Sequence, residues 1–204
     1  MNDSEPGGLH VAILAAGPGL RFGSSKALAR LDRGRPVLGQ VLSRAAGIGG
    51  HSTSVILGAH ARDVADAMRE SGASVVLNRD WEEGIASSIR AAVRALPPAT
   101  EALMLLLVDQ VGVTADDLAR LRAGWRRQPT QLVTALYGGR ACLPAVFPSW
   151  TFSELLALRG DRGPEHLLRR HAERALRVPM PNASKDLDTP EDLLFLSQVG
   201  DTAD

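Results

Sequence analysis

Five short apolar runs, several rich in β-branched residues and bounded by Gly, Asn or Asp, most constrain what this chain can become: residues 9–15, 53–58, 73–77, 102–108 and 131–136. They are continuous rather than alternating. A strand that faces solvent on one side alternates apolar and polar residues, so an unbroken apolar run reads as a strand covered on both faces. Helical patterns at 37–46, 61–70, 88–96 and 115–126 lie between the runs. Strand and helix in alternation imply a mostly parallel sheet with helices on both sides, and such sheets bind ligands at the carboxyl ends of their strands. The expected fold is therefore α/β, a single three-layer Rossmann-like domain over residues 1–204, of which 1–8 are expected to be a disordered N-terminus. After Tyr137 the rhythm turns Pro-rich and Gly-rich, with short helices expected at 152–158 and 164–171, a strand at 175–178 and a last helix at 190–197. This stretch is expected to elaborate the domain and close over its site.

Composition narrows the partners. Lys+Arg and Asp+Glu both number 23, which leaves no bulk field to hold nucleic acid or an anionic membrane, so anion recognition must be local and the substrate small. The lone Cys142 can form no internal disulfide, no apolar run approaches the roughly 20 residues that span a bilayer, and the start lacks the pattern of a signal peptide. The expected location is the cytoplasm. Only Lys26 and Lys185 are lysines among 23 basic residues, and both fall in motifs. His166 and His171, five apart, share no helical face and read as surface residues.

The first strand runs into Leu14-Ala15-Ala16-Gly17-Pro18-Gly19-Leu20-Arg21-Phe22-Gly23-Ser24-Ser25-Lys26. Glycines let a backbone approach an anion and turn its N–H groups inward, while Arg21 offers a planar fork and Lys26 a point charge. The loop has the composition of a phosphate cradle. It is neither a dinucleotide fingerprint, which needs Gly where Phe22 stands, nor a P-loop, which needs Gly-Lys-Ser/Thr together.

Asp109 directly follows the fourth apolar run, where a parallel strand presents groups to the ligand edge. A carboxylate there serves either as a cap or as a Mg²⁺ ligand, since Mg²⁺ prefers one or two carboxylates with phosphates and water. Asp188 is the second candidate ligand. Its neighbours Thr189-Pro190-Glu191-Asp192 make a good helix start, and both readings hold if Glu191 and Asp192 serve the helix while Asp188 faces the metal. Trp81 either packs against a base or anchors a loop. Ser87 or Ser88 is expected to cap the helix at 88–96, whose start could also receive phosphate or ribose contacts.

The stretch L-A-A-G-x-G-x-R-F-G-x-x-K resembles the signature loop of the MobA-like NTP transferases, and more closely their molybdenum cofactor cytidylyltransferase branch. Further matches follow in order: Asn78-x-x-Trp81-x-x-Gly84-Ile85-x-x-Ser88, Asp109-Gln110, Leu158-Arg159-Gly160-Asp161-Arg162-Gly163 and Asp186-Leu187-Asp188-Thr189-Pro190-Glu191-Asp192. The resemblance implies that Leu14, Ala15, Ala16, Gly17, Gly19, Gly23, Asn78, Gly84 and Ser88 hold the nucleotide, and that Arg162 contacts an anion on the acceptor side. It implies catalysis by Lys26, Arg21 and Asp109, with Asp109 and Asp188 holding Mg²⁺. The implied reaction is transfer of CMP from CTP to a molybdopterin-type acceptor with release of pyrophosphate, and a molybdoenzyme is an implied partner. Within the family L-A-A-G accompanies CTP and L-A-G-G accompanies GTP, which makes Ala16 the implied discriminator. Two positions depart from the family pattern: Val111 stands where Pro usually follows Asp-Gln, and Cys142-Leu143-Pro144 replaces Gly-His-Pro. The competing functions are a transferase with another small phosphorylated acceptor, and a non-catalytic nucleotide or cofactor-binding protein, which would need no metal carboxylates.

Overall fold

The structure is a computed structural model that describes residues 8–20, 22–30, 34–49, 52–69 and 71–193. Among the described residues seven strands form one sheet: β1 (Leu9–Ala15), β2 (Thr53–Leu57), β3 (Ser74–Leu77), β4 (Ala102–Leu107), β5 (Val133–Tyr137), β6 (Arg140–Pro148) and β7 (Leu176–Pro179). Their spatial order is β3-β2-β1-β4-β6-β5-β7. Every pairing is parallel except the two made by β6, which runs against both β4 and β5.

Among the described residues the helices that cover the sheet are α1 (Val37–Gly49), α2 (Ala61–Ala67), α3 (Ile85–Arg94), α4 (Ala115–Arg127), α5 (Phe152–Leu156) and α6 (Glu165–Arg170). Strand periodicity sorts the core into two halves. Val11 and Ile13 of β1 and Met104 and Leu106 of β4 point toward α1 and α4, where they meet Val41, Ala45, Leu118 and Leu121. Ala12, Leu14, Leu103 and Leu105 point to the other face and pack with Ile89, Leu155 and Leu167. This is the three-layer α/β arrangement expected from the continuous apolar runs.

Two expectations change. The segment 140–148, read as irregular, is β6, a nine-residue strand inserted between β4 and β5. Part of the C-terminal stretch is thus built into the sheet, and its loops at 158–161 and 181–188 reach the site. The third helix begins at Ile85 after Gly84, three residues before the expected start, so neither Ser87 nor Ser88 is its cap. The helix expected at 190–197 is seen only at 190–193, its remainder lying outside the described residues. Among the described residues no helix is long and apolar enough to cross a membrane.

Strand order reverses at β1, whose neighbours β2 and β4 lead to opposite edges of the sheet. Parallel strands leave a crevice at such a reversal, beyond their carboxyl ends. The sequence places the glycine loop after β1 and Asp109 after β4, at the rim of that crevice.

Candidate active site

A cavity of about 500 Å³ opens above the ends of β1 and β4. Its floor is the end of β1 and the loop beyond, Leu14 to Leu20. This loop is held from below and behind. The N–H of Ala59 donates to the carbonyl of Ala16 at 3.1 Å, and His60 Nε2 donates to the carbonyl of Pro18 at 3.1 Å. A methyl group added to Gly58 would stand 2.5 Å from the Ala16 oxygen and 2.6 Å from Trp81 Cβ, so the end of β2 can approach the loop only as glycine. Gly19 has φ of +63°, and its carbonyl accepts from the Gly23 N–H at 2.8 Å. Gly17 is exposed and open above its Cα, as close approach by an anion requires. Gly23 shapes the loop without lining the cavity, and Arg21 lies outside the described residues.

Lys26 rises at one end of the cavity between two carboxylates. Its Nζ donates to Asp109 Oδ2 and to Asp188 Oδ1, each at 2.9 Å. Asp188 comes within reach because its loop is tied to β4: Leu187 N–H donates to the carbonyl of Asp109 at 2.9 Å, and the buried Leu187 side chain anchors the segment. Asp192 Oδ2 accepts from the N–H groups of Asp188 and Thr189 at 2.9 and 2.7 Å, which depresses its pKa and fixes the turn. Burial opposes charge on Lys26, but the hydrogen bond to Asp188 and the charge of Asp109 outweigh it, and the ammonium is held above its usual pKa. Asp186, exposed as a residue, has its carboxyl end in a partly desolvated place. That and the charges of Asp109 and Asp188 push it up to about 6.

The Lys26 ammonium marks a point where Asp109 and Asp188 converge on a single positive charge, and these two carboxylates are the residues that could hold a divalent ion. Among the described residues no three His, Cys, Asp or Glu side chains come together as a complete metal cage. Two carboxylates with phosphate oxygens and water supplying the rest suit Mg²⁺.

The opposite wall comes from the start of α3 and the loop 158–161. Trp81, Gly84, Ile85, Ser88 and Asp161 line it. Asn78 stands behind the wall, buried, and its Nδ2 donates to Ser87 Oγ and Ser88 Oγ at 2.8 and 3.0 Å. Arg162 is exposed and outside the lining; its neighbour Asp161 faces the cavity instead. Lys185 also lies outside the lining and contributes a backbone carbonyl to Gly112. The buried Gln110 donates from Nε2 to the carbonyl of Leu143 at 2.8 Å, so it latches β6 to the site edge. His171 is not a free surface residue: it is hydrogen-bonded to Glu154 and stacked edge-on to Trp150.

Of the residues expected from sequence, Leu14, Ala15, Ala16, Gly17, Gly19, Lys26, Gly84, Ser88, Asp109 and Asp188 share this one cavity. The residue missed is Asp161. Its signal was the Gly160-Asp161-Arg162-Gly163 turn, in which charge alone could not tell which side chain faces inward.

Known proteins can be set beside this geometry. The Rv0371c protein of Mycobacterium tuberculosis H37Rv is 28% identical over 95% of this chain and all of its own, with a TM-score of 0.81. A structure of the same protein in complex with manganese is 27% identical over 93% of this chain and 98% of that one, with a TM-score of 0.76. Nicotine blue oxidoreductase of Paenarthrobacter nicotinovorans is 30% identical over 125 residues, which span 61% of this chain and 60% of that protein. The model of the MobA-like NTP transferase domain matches residues 11–175, and on that match, most of its length, the chain belongs to the MobA-like NTP transferase family.

Proposed function

We propose that this chain is a Mg²⁺-dependent cytidylyltransferase that joins CMP from CTP to a phosphate-bearing acceptor of the molybdopterin type. The observation that carries the reading is the convergence of Asp109 and Asp188 on Lys26 at the end of a glycine-loop cavity. A protein that only bound a nucleotide would have no use for two carboxylates aimed at one cation. Mg²⁺ held by Asp109 and Asp188 would neutralise the triphosphate and orient it for in-line attack. The acceptor's phosphate oxygen attacks the α-phosphorus, the bond to the β-phosphate oxygen breaks, and pyrophosphate leaves. Lys26, with Arg21 as the second cation of the loop, offsets the charge that develops. Gly17 and Gly19 bring backbone N–H groups to the phosphates, and Ser88 and Gly84 receive the nucleoside.

The choice of CTP over GTP rests on the family resemblance and on Ala16, which lines the cavity floor and is buried against Gly58. A methyl-sized difference in a pocket is worth about 1–3 kcal/mol. Ala16→Gly is expected to relax the preference without reversing it. Isothermal titration of CTP and GTP with Mg²⁺ against both proteins tests this, and tighter GTP binding by the unmodified protein would overturn it.

A second reading draws only on the name of the relative, nicotine blue oxidoreductase: oxidoreduction in the same cavity, which with a bound dinucleotide would call for the glycine fingerprint. Phe22 at the third glycine position of the dinucleotide fingerprint speaks against it. Loss of NADPH absorbance, with no pyrophosphate formed from any NTP, would favour it over transfer.

A further inference from the structure

The wall that carries Asp161 is held more firmly than an exposed loop needs to be. Glu83 Oε1 accepts from Gly160 N–H at 3.0 Å and from Arg90 Nη1 at 2.9 Å, while Glu83 Oε2 accepts from Arg90 Nη2. Arg90 Nη1 also donates to the carbonyl of Leu158 at 2.8 Å, and Ala86 N–H donates to the carbonyl of Gly160 at 3.1 Å. Residues 158 and 160 are thereby fixed to the start of α3 on both sides of the turn. Arg90 is only 6% exposed, and a guanidinium so buried is kept only with partners. Gly84, with φ of +112°, completes the device: a Cβ there would lie 2.1 Å from Asp161 Oδ1 and 2.7 Å from the carbonyl of Gly160. Gly84 lets the loop, including the Asp161 side chain, pack directly on its backbone because it has no Cβ in the way. The result is an anchored turn that presents Asp161 at the mouth of the cavity, and among the described residues no hydrogen bond or ion pair engages its carboxylate.

We propose that Asp161 reads the ribose of the bound nucleotide, its carboxylate accepting hydrogen bonds from the vicinal 2′ and 3′ hydroxyls, and that Glu83 and Arg90 are positioning residues that hold it there. The inference rests on the NTP-transferase reading of the cavity. A carboxylate is acceptor-only and its two oxygens suit a pair of neighbouring donors. The ribose diol is such a pair. A cytosine edge is not, because it offers one amino donor beside acceptors. Location agrees: Leu14 and Ala16 form a buried floor suited to the base, whereas Asp161 is exposed at the mouth, beyond Gly84 and Ile85.

Isothermal titration of the full chain with CTP and with 2′,3′-dideoxy-CTP, both with Mg²⁺, tests this, with GTP and its dideoxy form run in parallel. The unmodified protein is expected to bind the ribonucleotides roughly tenfold or more tightly than the dideoxy forms. Asp161→Ala, an exposed substitution whose folding is checked by its melting temperature, is expected to bring that ratio close to one. Glu83→Gln is expected to reduce the ratio in part and, in turnover, to raise KM for CTP while leaving kcat and the acceptor KM in place. A ratio near one in the unmodified protein, or an undiminished ratio in folded Asp161→Ala, overturns the inference while the transferase reading stands. Loss of GTP binding alone in Asp161→Ala would assign the carboxylate to a base edge and overturn it too. Failure of the unmodified protein to bind either NTP contradicts the transferase reading itself.

Discussion

At Lys26 burial and charge pull in opposite directions, and the two carboxylates win. If the ammonium serves the developing charge on the triphosphate, Lys26→Ala should lower kcat/KM by about 2–4 kcal/mol, the usual cost of losing one preorganised donor. Steady-state rates on the variant check this, and an unchanged kcat/KM would reduce Lys26 to a structural ion pair. Asp109→Asn keeps the shape of the side chain and deletes its charge, so it should abolish turnover with little change in melting temperature; full activity in the folded variant would remove Asp109 from the metal. His10 shows the opposite use of a titratable group. It is buried in β1, its ring nitrogens 2.8 and 2.9 Å from the hydroxyls of Ser52 and Ser54, and burial lowers its pKa from 6.5. Above 6.5 the ring is neutral folded and unfolded. As pH falls below 6.5 the unfolded chain takes up a proton that the folded chain refuses until its own lower pKa is passed, so stability declines through that window. Melting curves should lose more between pH 7 and pH 5 for the unmodified protein than for His10→Gln, which keeps hydrogen-bonding capacity without titrating. Equal slopes would show that His10 does not contribute.

Among the elements, the contact of β2 with the glycine loop carries the clearest consequence. Gly58→Ala would place a methyl group 2.5 Å from the Ala16 carbonyl oxygen and 2.9 Å from its Cβ, and backbone cannot give way as a flexible side chain can. Nucleotide affinity is expected to fall on the order of tenfold as the floor shifts, read by titration; unchanged affinity would mean the loop tolerates the shift. Helix α4 is a separate case, far in function from the cavity. Thr114 and Asp117 form a capping box, with Asp117 N–H on Thr114 Oγ1 at 3.2 Å and Thr114 N–H on Asp117 Oδ2 at 2.9 Å. Thr114→Ala should cost about 1 kcal/mol in chemical denaturation and leave catalysis untouched. The elements that periodicity revealed were those buried on both faces, such as β1 and β4, whose runs admit no other reading. Strand β6 was hidden because Pro144 and Pro148 interrupt it and Gly138-Gly139 precede it. Pro144 is tolerated because the register with β5 shifts there, Thr134 pairing with Ala145 and Ala135 with Cys142, and Pro148 because it ends the strand, facts of pairing that no local window carries. The start of α3 was misplaced for a related reason. Ser87 and Ser88 look like caps in sequence, yet they are consumed from within by Asn78, ten residues or fewer away in chain but on another element. In the site, Asp109 was legible because it closely follows the fourth apolar run, Lys26 because it closes the glycine loop and Asp188 through the family resemblance; Glu83, Arg90 and Asp161 were not, because their meaning lies in a contact spanning 77 residues.

Across the whole molecule, the sheet reverses at β1 and draws the glycine loop, Asp109 and the distant Asp188 loop to one edge. Formal net charge is zero, so no long-range field gathers anions and recognition depends on this local arrangement. The fold is shared with Rv0371c over nearly the full length of both chains, but a fold hosts many activities and the reaction must be argued from its site. Here the described residues bring together a cation, two carboxylates and a glycine loop, the set proposed above for nucleotidyl transfer. The most direct test is pyrophosphate release by the purified full chain, measured for CTP, GTP, ATP and UTP with Mg²⁺, with and without molybdopterin. Release is expected fastest from CTP, only when molybdopterin is present, and abolished by EDTA or by Asp109→Asn; a folded protein that binds CTP and Mg²⁺ yet releases no pyrophosphate from any NTP with molybdopterin present would contradict it.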